Sequence, residues 1–206
     1  MKIDWLGHDG IRITSNDMSI YIDPYQIEKG GAPADILLIS HEHFDHCSLE
    51  DIEKIQTKET AVVCSAGCQI KGNVTTAKPG DALSVKGIQI EVVPSYNTDK
   101  PMHPKSLGGV GFIIEVEGTR IYHAGDTDLI PEMSDMDCDV ALLPVSGKYV
   151  MNADEAAEAA RRIKPRLAVP IHWGSGVVGT IEDAERFQSL LAGTDIEVEI
   201  KEKTTP

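Results

Sequence analysis

Basic side chains are scarce in this chain. Its 206 residues carry 19 Lys and Arg against 33 Asp and Glu, so the formal net charge at pH 7 is −14. Non-specific affinity for nucleic acid comes from Lys and Arg that displace counterions from phosphate. We therefore expect no nucleic-acid partner, because the overall charge opposes one.

Cysteines and long apolar stretches are also scarce. Cys47, Cys64, Cys68 and Cys138 are too few for a disulfide framework at this length. Cys64 and Cys68 have the spacing of half a metal site, but no second pair follows, so buried free thiols are the preferred interpretation. The N-terminus lacks the apolar segment of a signal peptide, and no stretch approaches the ~18 apolar residues of a membrane span. These absences predict a soluble, cytoplasmic protein without a membrane partner.

The remaining composition is that of a globular domain, with 41% hydrophobic and 25% charged residues. A chain of this length buries roughly 70% of its unfolded surface on folding, which is enough for one sizeable core. We therefore predict a single domain over residues 1–206, built of two similar halves at about 1–100 and 101–206. A homo-oligomer is compatible with these features but is not specified by them.

Short strands and helices alternate along the chain. The first 23 residues predict two or three antiparallel strands, and Ala34 to Ser40 contains a strand buried on both faces. The remaining strands are predicted at Ala61–Cys64, Leu83–Val85, Ile88–Val93, Gly111–Glu117, Thr119–His123, Val140–Val145, Leu167–Ile171 and Ile196–Ile200. Capping patterns predict helices at Leu49–Gln56, at Ala153–Ile163 and from Thr180 to about Leu191. The stretch from Pro94 to Gly111 predicts a long loop. Mixed elements in two halves favour a layered α/β architecture.

Three histidines and an aspartate lie within six positions directly after the buried strand predicted within Ala34 to Ser40. Residues 41 to 46 read His-Glu-His-Phe-Asp-His. Buried histidine is costly unless its nitrogens find partners, whereas imidazole and carboxylate are the ligands of zinc and similar ions. His41 and His43 could face one point, and Asp45 and His46 a second point beside it. A metal site is preferred over a solvated histidine-rich loop.

Two more ligand candidates follow later strands. Asp126 comes just after the strand that ends at His123, and His172 just after the strand that ends at Ile171. Loops beyond the carboxyl ends of strands gather at one edge of a layered α/β sheet. The sequence therefore predicts one cleft shared by the 41–46 segment, Asp126 and His172.

The ordered motifs H-x-H-x-D-H, G-D-T and a lone late histidine resemble the metallo-β-lactamase superfamily. The short chain with Tyr122 to Thr127 and a Pro-x-His close is most similar to hydrolases related to ascorbate-6-phosphate lactonase. The resemblance implies a four-layer αββα sandwich with two divalent metal ions at one sheet edge. By that pattern His41 and His43 bind the first ion, Asp45, His46 and His172 bind the second, and Asp126 bridges them. Zinc is favoured, with manganese, iron and nickel as alternatives.

One part of the family pattern is missing. The superfamily usually places a third histidine of the first site shortly after the strand that here ends at Val93, where this sequence reads Pro-Ser-Tyr-Asn. His103 is the nearest substitute from the long loop, and Asn97 or a water is the alternative. His103 is thus predicted either as a metal ligand or as a residue that contacts substrate or solvent.

Three further residues are candidates for the surroundings of the site. His8 and Asp23 are expected to orient metal ligands, with ordinary structural roles as the alternative. His123 is expected to be buried and hydrogen-bonded rather than bound to metal.

The resemblance implies a metal-dependent hydrolase that uses a metal-bound, bridging hydroxide on a small ester, lactone, amide or phosphoester. Asp45 would be the catalytic residue, as both ligand and proton carrier. The first alternative is a non-catalytic binding protein that metal stabilises. The second is a di-iron redox protein, although redox members typically carry Glu at the position of His43 and add a flavin domain. The expected partner is a small-molecule substrate.

Overall fold

The computed structural model describes residues 1–204, and its strands form two sheets. The first sheet contains β1 (Lys2–Gly7), β2 (Gly10–Ser15), β3 (Met18–Ile22), β4 (Ile36–Ile39), β5 (Ala61–Cys64) and β6 (Asn73–Thr76). The second contains β7 (Ala82–Val85), β8 (Ile88–Pro94), β9 (Val110–Val116), β10 (Thr119–His123), β11 (Val140–Pro144), β12 (Leu167–Ile171) and β13 (Glu197–Val198). The helices are α1 (Leu49–Ile55), α2 (Ala153–Ile163) and α3 (Ile181–Leu191).

Each sheet follows its strands in sequence order. In the first, β1, β2 and β3 pair antiparallel and β3 to β6 pair parallel. In the second, β7 to β10 pair antiparallel and β10 to β13 pair parallel. The chain passes from one sheet to the other between Thr76 and Ala82. The single-domain organisation stays a prediction, but the change of sheet comes about twenty residues before the expected division near residue 100.

Alternating side chains of β4 show how the layers are stacked. Ile36 and Leu38 join the large core between the sheets, whereas Leu37 and Ile39 join a smaller core with Ile52 of α1. The helices α2 and α3 pack on the outer face of the second sheet, against β11 and β12 respectively. The order is therefore helix, sheet, sheet, helices, and the predicted four-layer αββα sandwich is confirmed.

Helix α2 shows how local sequence sets an element. The Asn152 side chain accepts from the Glu155 N–H, and the Glu155 carboxylate accepts from the Asn152 N–H, which closes the capping box. Lys164 ends the helix in a left-handed conformation. Alanines cover the buried face and let the helix lie close to the sheet. None of the described helices is long and apolar enough to cross a bilayer.

The topology brings several loops to one edge. The carboxyl ends of β3, β4, β10 and β12 carry Asp23, His41, Asp126 and His172. Because β1 runs in the same direction as β3, the turn after Gly7 lies at this edge as well. This convergence matches the shared cleft expected from the sequence.

Candidate metal centre

Three imidazoles from two distant segments lie close together, and two of them face one oxygen of Asp126. His43 Nδ1 lies 3.1 Å from His41 Nε2 and 3.1 Å from His103 Nε2. Asp126 Oδ2 lies 3.3 Å from His103 Nε2 and 3.9 Å from His41 Nε2. We call His41, His43, His103 and Asp126 the outer cluster. His103, only 6% exposed, therefore faces the other histidines and is not a solvent-facing loop residue.

The other oxygen of Asp126 faces two further histidines. Asp126 Oδ1 lies 3.3 Å from His46 Nε2 and 3.2 Å from His172 Nε2. These three atoms are buried and have no hydrogen-bond partner among the described residues. We call His46, His172 and Asp126 the inner cluster. Buried polar atoms without partners are uncommon, so this convergence indicates a site for a cation.

The far nitrogen of each of four imidazoles is held by a hydrogen bond. His41 Nδ1 lies 3.0 Å from Ser40 Oγ, and His46 Nδ1 lies 2.9 Å from an Asp23 oxygen. The Ser40 hydroxyl donates to Asp23, which leaves the Ser40 oxygen free to accept from His41. These contacts assign the proton to Nδ1, so each Nε2 turns a lone pair into its cluster. Asp23 thus has the orienting contacts expected for it.

His103 and His172 are held in the same way. His103 Nδ1 lies 3.2 Å from Asn97 Oδ1 and 3.3 Å from the Tyr149 carbonyl. His172 Nδ1 lies 2.7 Å from Ser146 Oγ. Asn97, considered from the sequence as a replacement for the missing ligand, instead contacts the histidine that fills that region. The donor set and the direction of its lone pairs fit a divalent metal ion.

Asp45 lies beside these clusters and contacts His8. Its Oδ2 is 3.1 Å from His8 Nε2, and the other His8 nitrogen is 3.0 Å from Ser175 Oγ. Among residues 1–204, no ion-pair contact joins Asp45 to His46 or His172. The structure therefore brings His41, His43, His46, Asp126 and His172 together and places Asp45 in a pair with His8.

Sequence reasoning missed Asp9, which is buried beside the inner cluster. Its Oδ2 lies 3.5 Å from His46 Nε2 and 3.7 Å from His172 Nε2. The available signal was its place next to His8, directly after the Gly7 turn. His123, by contrast, is buried and hydrogen-bonded as expected, with Nε2 2.9 Å from the Asp9 carbonyl.

The two clusters differ in their electrostatics. Burial lowers the pKa of His41 well below its usual value. Burial also acts to lower the pKa of His46, but the charge of Asp126 and the bonds to Asp126 and Asp23 raise it well above normal. For Asp126, burial acts to raise the pKa, but the charges of His172 and His46 hold it well below normal. The inner nitrogens thus attract positive charge where a cation would lie.

Left-handed backbone conformations occur at three residues of this edge. His8, Asp23 and His172 have φ values of 54°, 43° and 63°. Such conformations cost about 1–3 kcal/mol each in non-glycine residues and tend to occur at functional sites. Gly125 has φ 62°, and a Cβ there would lie 2.9 Å from the Val110 carbonyl. The glycine lets the chain before Asp126 approach the neighbouring strand.

A narrow recess with about 10 Å³ of space, room for about one water molecule, opens onto the outer cluster. Its floor contains His43, His103 and Asp126, and its walls include Pro104 and Leu107 from the long loop. The loop thus supplies both a histidine and part of the wall.

Comparisons with known proteins agree with this geometry. The family described as "Beta-lactamase superfamily domain" matches residues 2–172. A UPF0173 metal-dependent hydrolase from Methanopyrus kandleri is 30% identical and aligns over 98% of this chain and 97% of its own length. A candidate metal-dependent hydrolase from Parabacteroides distasonis superposes with a TM-score of 0.87 at 33% identity, covering 98% of this chain and 93% of that one.

A third comparison concerns the fold alone. CmlA, a diiron β-hydroxylase from Streptomyces venezuelae, has a TM-score of 0.70 at 14% identity, covering 96% of this chain and 52% of that one. The comparisons do not test the narrower similarity to ascorbate-6-phosphate lactonase, which stays a prediction. The family match and the relative that is similar along its full length show that the chain belongs to the metallo-β-lactamase superfamily, within the UPF0173 family of metal-dependent hydrolases.

Proposed function

We propose that the protein is a hydrolase that uses two divalent metal ions to attack a small ester, lactone, amide or phosphoester with a metal-activated, bridging hydroxide. The observation that carries this proposal is the position of the Asp126 carboxylate, whose two oxygens face two groups of imidazole nitrogens. One carboxylate in that position can join two ions a few ångströms apart.

The outer cluster would hold one ion and His46 and His172, with Asp126, would hold the other. Zinc suits this set of imidazoles and carboxylate, with manganese, iron and nickel as alternatives. Such ions lower the pKa of a coordinated water from 15.7 toward about 7 and polarise the oxygen of the group under attack. The chain's contribution is to aim the lone pairs of its histidines, since their other nitrogens are held by Ser40, Asp23, Ser146 and Asn97.

Asp45 would act as the catalytic residue by accepting a proton and returning it. Burial lowers the pKa of His8 to about 4, so His8 is neutral at pH 7 and can donate from Nε2 to Asp45. Burial acts to raise the pKa of Asp45, but the bond from His8 and the charge of His46 bring it below normal. An ionised, fixed carboxylate beside the clusters can accept a proton from water and return it to the leaving group.

The recess supports a small substrate. Pro104 and Leu107 line it beside Glu42, so a substrate that presents one carbonyl or phosphoryl group next to an apolar body suits this lining. The resemblance to ascorbate-6-phosphate lactonase makes lactones the first class to test. The acidic balance of the chain supports a substrate other than nucleic acid.

The test is hydrolysis by metal-stripped protein restored with zinc, manganese, iron or nickel, against lactones, phosphodiesters, esters and amides. We expect turnover only after metal is restored, and loss of the outer ion and of turnover in His41→Ala. Full turnover by metal-free protein would refute the proposal. Metal-dependent stabilisation without turnover on any class would favour the non-catalytic binding protein, and iron content with an iron absorption band and redox turnover would favour the di-iron protein.

A further inference from the structure

The Asp9 carboxylate is fully buried and has no hydrogen-bond partner in the part of the chain that the structure describes. It is 0% exposed. Asp23, equally buried, accepts hydrogen bonds from Ser40 and His46. A buried carboxylate stays ionised only beside positive charge and otherwise takes up a proton.

The backbone fixes Asp9 in this position. The His172 N–H donates to the His8 carbonyl at 2.9 Å, and His123 Nε2 donates to the Asp9 carbonyl at 2.9 Å. His8 itself adopts a left-handed conformation in the turn between β1 and β2. The turn is thus tied to the second sheet on both sides of the residue, which keeps the side chain directed inward.

The distances around Asp9 are those of a metal site. Asp9 Oδ2 lies 3.5 Å and 3.7 Å from the Nε2 atoms of His46 and His172, and Asp126 Oδ1 lies 3.3 Å and 3.2 Å from the same two atoms. In a tetrahedral zinc site with ligands at about 2.0–2.2 Å, neighbouring ligand atoms are ~3.3–3.6 Å apart. Two imidazoles and two carboxylates would also neutralise a divalent charge.

Two neighbouring side chains, His8 and Asp45, contact each other beside the inner cluster, and His8 lies in one candidate ligand group with Asp9, His46 and His172. His8 uses both ring nitrogens, one with Asp45 and one with Ser175. Asp45 receives the His8 contact and makes no ion-pair contact with His46 or His172 in the described part of the chain. Asp9 is therefore the carboxylate with free oxygens directed at the inner cluster.

We propose that Asp9 is the fourth protein ligand of the inner ion, together with His46, His172 and Asp126. The inference rests on the proposed function only in requiring that the centre binds metal. Four protein ligands hold the inner ion firmly, so the bridging hydroxide would be its fifth ligand and no further position would remain for substrate. The outer ion, which faces the recess, is then the one that substrate reaches.

The test compares Asp9→Asn with the wild-type chain in metal content and in stability. Wild-type protein is expected to hold two zinc ions per chain after dialysis against a weak chelator, whereas Asp9→Asn is expected to hold one. With cobalt in place of zinc, the variant should lose the absorption of the inner site and keep that of the outer site. Asp9→Ser provides the same comparison with a smaller side chain if the amide does not fold.

The melting temperature gives a second test, because Asp9→Asn is expected to shift it in opposite directions without and with zinc. In excess strong chelator, Asp9→Asn should melt above the wild type, because it removes a buried carboxylate without a partner. With saturating zinc it should melt below the wild type. A general structural role would lower the melting temperature in both conditions. Asp4→Asn is the matched control, since Asp4 is a buried aspartate of β1 that pairs with Arg12 and Lys2, away from the clusters.

The outcomes separate the two proposals. Two ions and an unchanged cobalt spectrum in Asp9→Asn would overturn the assignment of Asp9 and leave the hydrolase proposal standing. A wild-type chain that binds no metal would overturn both. A wild-type chain that binds two ions through Asp9 but hydrolyses nothing would overturn the hydrolase proposal alone.

Discussion

The Oδ1 atom of Asp126 lies 3.2 Å from Nε2 of His172, and neither atom has a hydrogen-bond partner among the described residues. The second oxygen of the same carboxylate faces the outer cluster, 3.3 Å from His103 Nε2. Asp126 thus contacts histidines of both clusters.

This sharing predicts different metal losses for two substitutions. Asp126→Asn should reduce the zinc content from two ions per chain toward zero, because both ions lose an anionic ligand. His103→Ala should lose only the outer ion and retain one. Metal analysis of dialysed protein measures both, with Asp4→Asn as the control that keeps two. Equal losses in Asp126→Asn and His103→Ala would contradict the bridging position of Asp126.

Asn97 predicts a weaker effect on the same site. Its Oδ1 accepts from the His103 N–H at 2.9 Å, and its Nδ2 donates to Asp128 at 3.1 Å and to the Tyr149 carbonyl at 2.8 Å. Asn97→Ala should weaken binding of the outer ion about 10–100-fold, as is typical when a residue that orients a ligand is removed. Competition titration with a chromophoric chelator measures the change.

Asn152→Ala is the matched control for that experiment. Asn152 caps α2, so its loss should cost about 1 kcal/mol of stability and leave metal affinity unchanged. If Asn97→Ala binds both ions like the wild type, Asn97 does not orient His103.

The structure shows which elements the sequence could define. Continuous apolar runs predicted β5 and β12 at their observed bounds, because strands buried on both faces leave no polar alternative. The turn at Glu117 and Gly118 predicted the bounds of β10, whose first two residues are polar. β6, Asn73–Thr76, was not predicted, since three of its four side chains are polar and exposed and it is defined by pairing with β5. The closing strand, expected over Ile196–Ile200, is limited to Glu197–Val198.

The same limit applies to the site. His41, His43, Asp126 and His172 follow buried strands, so their meeting at one edge could be predicted from the order of elements. The contact of His103 with His43 depends on the path of an irregular loop. The position of Asp9 depends on a turn of the first sheet that is hydrogen-bonded to a loop of the second. Those two positions are set by tertiary contacts that no local pattern encodes.

The pair of Asp45 and His8 predicts a separation of metal binding from turnover. Asp45→Asn keeps the shape of the side chain but cannot accept a proton, so it should retain both ions while kcat falls about 10²–10⁴-fold. Metal analysis and steady-state kinetics on the substrate found by the panel measure the two effects. Loss of an ion in Asp45→Asn would instead make Asp45 a metal ligand, as the family resemblance implies.

Asp51 predicts a pH dependence that is independent of the metal centre. Its carboxylate, 4% exposed, accepts from the Gln26 and Ile27 N–H groups, from the Ser48 hydroxyl and from Lys54. Burial acts to raise the pKa of Asp51, but the bonds from Lys54, Ser48 and Gln26 outweigh it and hold the pKa below normal. The carboxylate therefore stabilises the fold above the unfolded-state pKa of about 3.9, and this contribution is lost as pH falls through the lower folded value.

Asp51→Asn should thus reduce the free energy of unfolding by about 1–3 kcal/mol at pH 7, because charged hydrogen bonds are replaced by weaker ones and the amide has one acceptor fewer. The difference from the wild type should shrink as pH falls below about 4, where the wild-type carboxyl begins to take up its proton. Urea denaturation of chelator-treated protein at pH 7 and near pH 3 measures it. The exposed Asp17→Asn is the control, expected to stay within about 0.5 kcal/mol of the wild type. A difference that is the same at both pH values would show that the charge of Asp51 is not its source.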